Sequence, residues 1–129
     1  MRIEHLAIWV DDLELMKDFY VEYFDMNCGN KYTNSQKQFT SYFLTFKTGE
    51  ARIELMHRPD ILQSVQDKSS SKGITHFAIS TGSKESVNEL TERLRSDGYE
   101  IKSEPRTTGD GYYESVISDP EGNSIEITE

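Results

Sequence analysis

The sequence predicts an α+β protein built from two tandem β-α-β-β-β modules that contribute to a curved mixed sheet. Three observations predict it. Two short apolar runs, IEHLAIWV and GITHFAIST, have the alternation of strands and are each followed by a segment of helical periodicity. Each helical segment is followed by further strand-like runs that end in IEL or IEI. The second series also repeats the first. His76 follows His5 by 76 − 5 = 71 residues, and Glu126 follows Glu54 by 126 − 54 = 72.

Residues 2–10 form the first expected strand, with Ile3, His5, Ala7 and Trp9 on one face and Leu6, Ile8 and Val10 on the other. Asp11 and Asp12 are N-cap candidates for a helix over 12–25, whose apolar stripe is Leu13, Met16, Tyr20, Tyr23 and Phe24. Residues 27–34 are a poor strand candidate. Residues 39–48, rich in aromatics and threonine, are a strong one, and a turn at Gly49-Glu50 leads into a strand over 51–57. From Arg58 to Lys72 the pattern dissolves. Pro59 breaks the sheet, the serine run 69–71 has linker composition, and Ile61, Leu62 and Val65 suggest one short helical turn.

The order then repeats. A strand is expected over 73–81, followed by a helix capped by Ser83, striped by Val87, Leu90 and Leu94, and ended by Gly98. Strands follow near 99–104, 112–118 and 124–128. GDGYY at 109–113 reads as a hairpin turn, since no helix follows it to make a phosphate cradle, and Asp119 to Asn123 have turn chemistry. We therefore expect one domain over 1–129, composed of module 1 (1–58), a linker (59–72) and module 2 (73–129).

Composition limits the function. A net charge of −9 disfavours nucleic acid and anionic membranes, which both call for a basic face. The single cysteine, Cys28, permits no intrachain disulfide, which fits a reducing, cytoplasmic setting. No apolar run reaches the length of a membrane span, and the chain enters a strand without a signal peptide.

The repeat isolates His5, Glu54, His76 and Glu126, each inside a largely apolar strand. Imidazole and carboxylate are ligands for zinc, nickel, cobalt, manganese or iron. Two neutral histidines and two ionised glutamates form a formally neutral cage for a dication. A six-coordinate ion would keep two positions for water or substrate. Taken singly, each residue is explained by hydrogen bonding or a wet strand face. Burying an unpaired carboxylate costs several kcal/mol, so two at repeated positions call for partners. The competing explanation is a duplication in which each histidine only hydrogen-bonds its glutamate. His57, on the opposite face of its strand from Glu54, has no counterpart in the second module and stays outside the set.

The chain also resembles the vicinal oxygen chelate superfamily, which includes glyoxalase I, fosfomycin-resistance and bleomycin-resistance proteins and extradiol dioxygenases. The residues that carry the resemblance are IEHLAIWVDDLELMKDFYVEYFDM, ITHFAIS and SDPEGNSIEITE, with Phe19-Tyr20 and the D-P-E-G-N turn as specific marks. The resemblance implies two β-α-β-β-β modules whose sheets form a cleft. It is strongest to small dimeric glyoxalase I-like proteins, and implies His5, Glu54, His76 and Glu126 as ligands of one divalent metal ion per site. It further implies a homodimer with sites shared between chains, and a lyase or isomerase acting on a small substrate whose vicinal oxygens reach the metal. A metal-side glutamate would be the base, Glu126 first and Glu54 second.

Where glyoxalase I enzymes hold glutathione with an arginine four residues after the first histidine, this chain has Trp9. Arg58 stands where they have an asparagine. Trp9, Arg58 and Tyr112 are therefore the candidate substrate contacts, with Trp9 as an apolar wall or a core residue and Arg58 as a carboxylate anchor. Two alternatives are a thiol transferase of fosfomycin-resistance type and a non-catalytic drug-binding resistance protein. The full quartet argues against both, because the first uses three ligands and the second lacks the set. A dioxygenase would use a 2-His-1-carboxylate triad and a longer chain.

Overall fold

The computed structural model describes residues 1–49, 51–62 and 72–129. The chain divides into two units, Met1–Gln63 and Ser64–Glu129. The elements run β1 (His5–Trp9), α1 (Leu13–Tyr23), β2 (Asn27–Cys28), β3 (Tyr32–Asn34), β4 (Phe39–Thr45), β5 (Arg52–His57), β6 (His76–Ser80), α2 (Lys84–Ser96), β7 (Ile101–Thr107), β8 (Tyr113–Ser118) and β9 (Ser124–Thr128). Each unit carries its own mixed sheet, as two modules of one plan lead one to expect. The expected turn at Gly49-Glu50 and the helical turn through Val65 fall partly outside the described residues, and the serine run wholly. Ile61 and Leu62 are described and lie outside regular structure.

In unit 1 the strand order is β1-β5-β4-β2, with β3 also paired to β4. β1 runs parallel to β5, and β4 antiparallel to it. The weak 27–34 segment forms two short strands, β2 and β3, held on the edge of β4. α1 starts where the Asp12 carboxylate accepts from the backbone N–H groups of Glu14 and Leu15, satisfying donors that a helix start leaves unpaired. Its Leu13, Met16, Phe19 and Tyr20 are buried, so Phe19 joins the expected stripe. Leu44, Ile53 and Leu55 are also buried, on one face of the sheet. Each such side chain removed from water contributes about 1.5–3 kcal/mol.

Unit 2 repeats the plan with the order β6-β9-β8-β7, and β6 is parallel to β9. Ser83 caps α2 by accepting from the Ser86 N–H, and Gly98 ends it at φ 90, a left-handed conformation that costs glycine nothing. Val87 and Leu94 are fully buried. Thr91 takes the third buried place, and Leu90 is only half-buried. A threonine is tolerated there because its hydroxyl donates to the Val87 carbonyl at 2.6 Å and accepts from the buried Ser115 hydroxyl at 2.7 Å. In the β8–β9 turn Asp119 accepts from the N–H groups of Glu121 and Asn123, and Gly122 adopts φ 79. This turn sets the register of β9. Among the described residues no helix is long and apolar enough to cross a membrane.

Glu14 ties α1 to its sheet. Its carboxylate accepts from Lys17 at 2.8 Å, Lys31 at 2.9 Å and the Tyr42 hydroxyl at 3.0 Å. The two ammonium groups hold its carboxyl at about 2, well below the ordinary 4.5. The folded value is the lower one, so this stability is present above pH 4.5 and is lost as pH falls toward 2. Because the group is half-exposed, the effect is that of a surface network. Glu14→Gln is expected to destabilise the protein by roughly 0.5–1 kcal/mol at neutral pH. In urea unfolding series, the gap to wild type should close as pH drops through the window between 4.5 and 2.

Candidate functional site: a histidine–glutamate pair in each unit

Strand alternation sends one face of each sheet to the core and leaves the other for chemistry. In unit 1 the register pairs Ala7 with Glu54 and Phe43 with Glu54, so His5, Ala7, Trp9, Phe43 and Glu54 share the face opposite the core. In unit 2 the equivalent ladder pairs Ala78 with Glu126 and Val116 with Glu126. Each histidine is thus a diagonal neighbour of its glutamate, with an alanine between. The Glu54 side chain is only 15% exposed and that of Glu126 18%, so neither carboxylate is simply solvated.

His5 Nε2 lies 3.7 Å from Glu54 Oε2, and His76 Nε2 lies 3.5 Å from Glu126 Oε2. Both separations exceed the usual hydrogen-bond range of about 2.7–3.2 Å. They therefore do not support the explanation in which each histidine merely bonds its glutamate. They are close to the spacing of two adjacent ligands on one ion, about 3–3.5 Å for metal–donor bonds of about 2.0–2.2 Å. The donor set fits a divalent cation. Among the described residues no group of three or more His, Cys, Asp or Glu donors gathers to hold an ion, and each unit brings together one histidine and one glutamate.

The surroundings of the two pairs differ. His5 Nδ1 contacts Glu4 Oε2 at 2.5 Å, and Arg52 forms an ion pair with the same Glu4 carboxylate. A carboxylate on Nδ1 keeps the proton there and leaves the Nε2 lone pair facing Glu54. Arg52 lies 4.2 Å over the Phe43 ring, and the His5 ring meets Phe43 edge to face at 5.5 Å. In the second module the positions matching Glu4 and Arg52 are Thr75 and Ser124. There the neighbour of the His76–Glu126 pair is Glu114, whose carboxyl is pushed up by burial and then by the charge and hydrogen bond of Glu126. Arg106, 3.9 Å from Glu114, opposes that rise.

The candidate substrate contacts are placed as follows. Trp9 is 40% exposed, which rules out simple core packing, and its ring meets Phe39 edge to face at 6.1 Å. Arg58 turns its guanidinium fork onto Asp60, so its strongest partner is an internal carboxylate. A polar notch beside it is lined by Gln36, Lys37, Gln38, Arg58 and Asp60. Tyr112 is exposed in the β7–β8 hairpin turn, whereas Tyr113 donates its hydroxyl to Asn88 on α2. His57 contacts the Val10 carbonyl through Nδ1 at 2.9 Å, on the core side of its sheet.

The sequence reading missed Glu4, Arg52 and Glu114. Glu4 was visible as a carboxylate beside His5. Arg52 and Glu114 come to the pairs through cross-strand register, which no local pattern carries. Glu4→Ala is expected to shift His5 from its Nδ1–H tautomer toward Nε2–H, and to leave His76 unmoved. Nitrogen-15 chemical shifts of the two imidazoles in metal-free protein check this.

The family model for the Glyoxalase/Bleomycin resistance protein/Dioxygenase superfamily matches residues 2–127. The YqjT protein of Bacillus subtilis is 24% identical over 128 residues, covering 97% of this chain and 96% of that protein. Glyoxalase I from Zea mays superposes with a TM-score of 0.77 at 26% identity, over 98% of this chain. This chain spans only 44% of the length of that enzyme. Glyoxalase I from Leishmania major superposes with a TM-score of 0.78 at 23% identity, over 100% of this chain and 86% of that one, which is a likeness of fold. With its duplicated β-α-β-β-β plan and a model match over nearly its whole length, this chain belongs to the Glyoxalase/Bleomycin resistance protein/Dioxygenase superfamily.

Proposed function

We propose that the protein is a metal-dependent lyase or isomerase of the glyoxalase type, acting on a small substrate with vicinal oxygens. One observation carries this reading. The two His–Glu pairs occupy equivalent register positions in the two units, with donor atoms 3.7 Å and 3.5 Å apart. We infer a homodimer in which His5 and Glu54 of one protomer and His76 and Glu126 of its partner complete each ligand set. Both units of both chains would then be used, giving two equivalent sites.

A divalent ion held there supplies Lewis acidity toward the two substrate oxygens. The chain's own residues do the rest. His5 and His76 offer Nε2, with Glu4 holding the His5 proton on Nδ1. Glu54 and Glu126 balance the charge of the cation. Glu126 would take the proton from the hydroxyl-bearing carbon beside a carbonyl and return it to the former carbonyl carbon, while the hydroxyl proton passes to the neighbouring oxygen, so that hydroxyl and carbonyl exchange places. It is favoured over Glu54 because Glu114 gives it a second carboxyl at its side, a neighbour that can share a proton. Glu54 has Ser41 at the place corresponding to Glu114, and Phe43 directly across from it.

Native mass spectrometry after reconstitution with nickel, zinc, cobalt or manganese is expected to show a dimer with two ions. His5→Ala and His76→Ala should each weaken binding by more than the roughly 10–100-fold that loss of an outer-shell partner costs. A protein that takes up none of the four ions would refute the reading. The anchoring arginine of glutathione-dependent enzymes is replaced by Trp9, and Arg58 is engaged by Asp60. Turnover of the glutathione–methylglyoxal hemithioacetal is therefore expected to fall below the usual enzyme range, with kcat/KM under about 10⁴ M⁻¹s⁻¹. Steady-state kinetics on the metal-loaded protein decide it.

A further inference from the structure

The metal-bearing face of unit 1 carries a wall of rings that the ligand pair itself does not use. Along β1 the face reads His5, Ala7, Trp9. At about 3.3 Å per residue, the α-carbons of His5 and Trp9 stand about 13 Å apart. Only the methyl of Ala7 lies between them on that strand, directly across from Glu54. The face therefore has a low floor beside the ligand pair and a tall side at Trp9.

That side is built from three aromatic residues on three strands. The register row Trp9–Met56–Ser41–Tyr32 crosses the sheet on this face, and Phe39 lies two residues from Ser41 on the same side of β4. Phe39 bridges the ends of the row, with its ring centroid 6.1 Å from that of Trp9 and 6.0 Å from that of Tyr32. Ser41, in the middle of the row, is only 2% exposed, yet Trp9 and Tyr32 remain 40% and 55% exposed. The rings brace one another and still offer surface. Aromatic side chains held in this way give up little conformational freedom on binding, and they favour another ring stacked or edge-on.

The two arginines of this face are each paired with a carboxylate. Arg52 is paired with Glu4 and lies over Phe43, and Arg58 is paired with Asp60. In the second module the position matching Trp9 is Ser80, and the one matching Phe43 is Val116. The position matching Phe39 is Tyr112, which is exposed, so among the described residues these matching positions keep one ring in unit 2 where unit 1 sets several together.

Resting on the metal-site reading above, we propose that unit 1 selects a substrate whose vicinal oxygens bear an aryl group, with Trp9, Phe39 and Tyr32 forming the aryl subsite. The oxygens lie at His5 and Glu54, and the ring passes over Ala7 to meet Trp9.

Two hydroxamates separate the ring from the chelating oxygens. Benzohydroxamate and acetohydroxamate present the same pair of oxygens and differ only in phenyl against methyl. Affinities are measured by calorimetry on the full-length protein loaded with zinc or cobalt, with metal content determined separately. Benzohydroxamate is expected to bind at least about 10-fold more tightly and to quench the fluorescence of Trp9, the single tryptophan. Trp9→Ala should narrow the ratio to less than about 3-fold, and Trp9→Phe should keep most of it. Phe39→Ala should lower it as well. Equal affinities for the two hydroxamates in loaded wild type overturn the aryl subsite and leave the metal reading standing. A preference that survives both Trp9→Ala and Phe39→Ala does the same. A protein that takes up no metal overturns both.

Discussion

The parallel pairing of the first strand of each unit with its last constrains everything else in this protein. β1 lies against β5, and β6 against β9, although the paired strands are separated by a helix and further strands. That pairing sets an alanine opposite a glutamate in each unit and so puts a histidine diagonally next to it. A shift of one residue would turn the glutamates into the core and the core isoleucines outward. The packing of Ile53 and Leu55 in one unit, and of Ile125 and Ile127 in the other, therefore enforces the register that brings each histidine to its glutamate. Core stability and the histidine–glutamate geometry are two consequences of the same ladder.

Duplication preserved that ladder and allowed its surroundings to diverge. In unit 1, Glu4 and Arg52 orient the histidine, and aromatic residues cover the adjacent surface. In unit 2, Glu114 neighbours the glutamate with Arg106 beside it, and Ser80 and Val116 stand where unit 1 has Trp9 and Phe43. One pair is thus set in an aromatic, arginine-braced environment and the other beside a second carboxyl.

Much of this was legible before any coordinates. Both helices lie within the expected spans, the Asp12 and Ser83 caps act as their chemistry predicts, and seven of the nine strands overlap segments expected to be strands. The exceptions have physical causes. β2 and β3 have weak strand character, and they form because β4 offers an edge to pair with. Thr91 replaces Leu90 on the buried stripe because Ser115, from a distant strand, satisfies its hydroxyl. Arg58 suits a carboxylate by chemistry, and the carboxylate it meets is Asp60, two residues away.

The sequence by itself determined the residue types, their alternation and the duplication. Strand and helix periodicity are local properties, written every two or every three to four residues, and a repeat is visible wherever it recurs. Only the tertiary structure decided how far His5 stands from Glu54, that Arg52 reaches Glu4, that Glu114 neighbours Glu126, and that Tyr32 and Phe39 join Trp9 in one wall. Those facts depend on which residue of one strand faces which residue of another. Such registers are set by turns such as Asp119–Asn123 and by the packing of whole sheets, over separations that no local pattern spans.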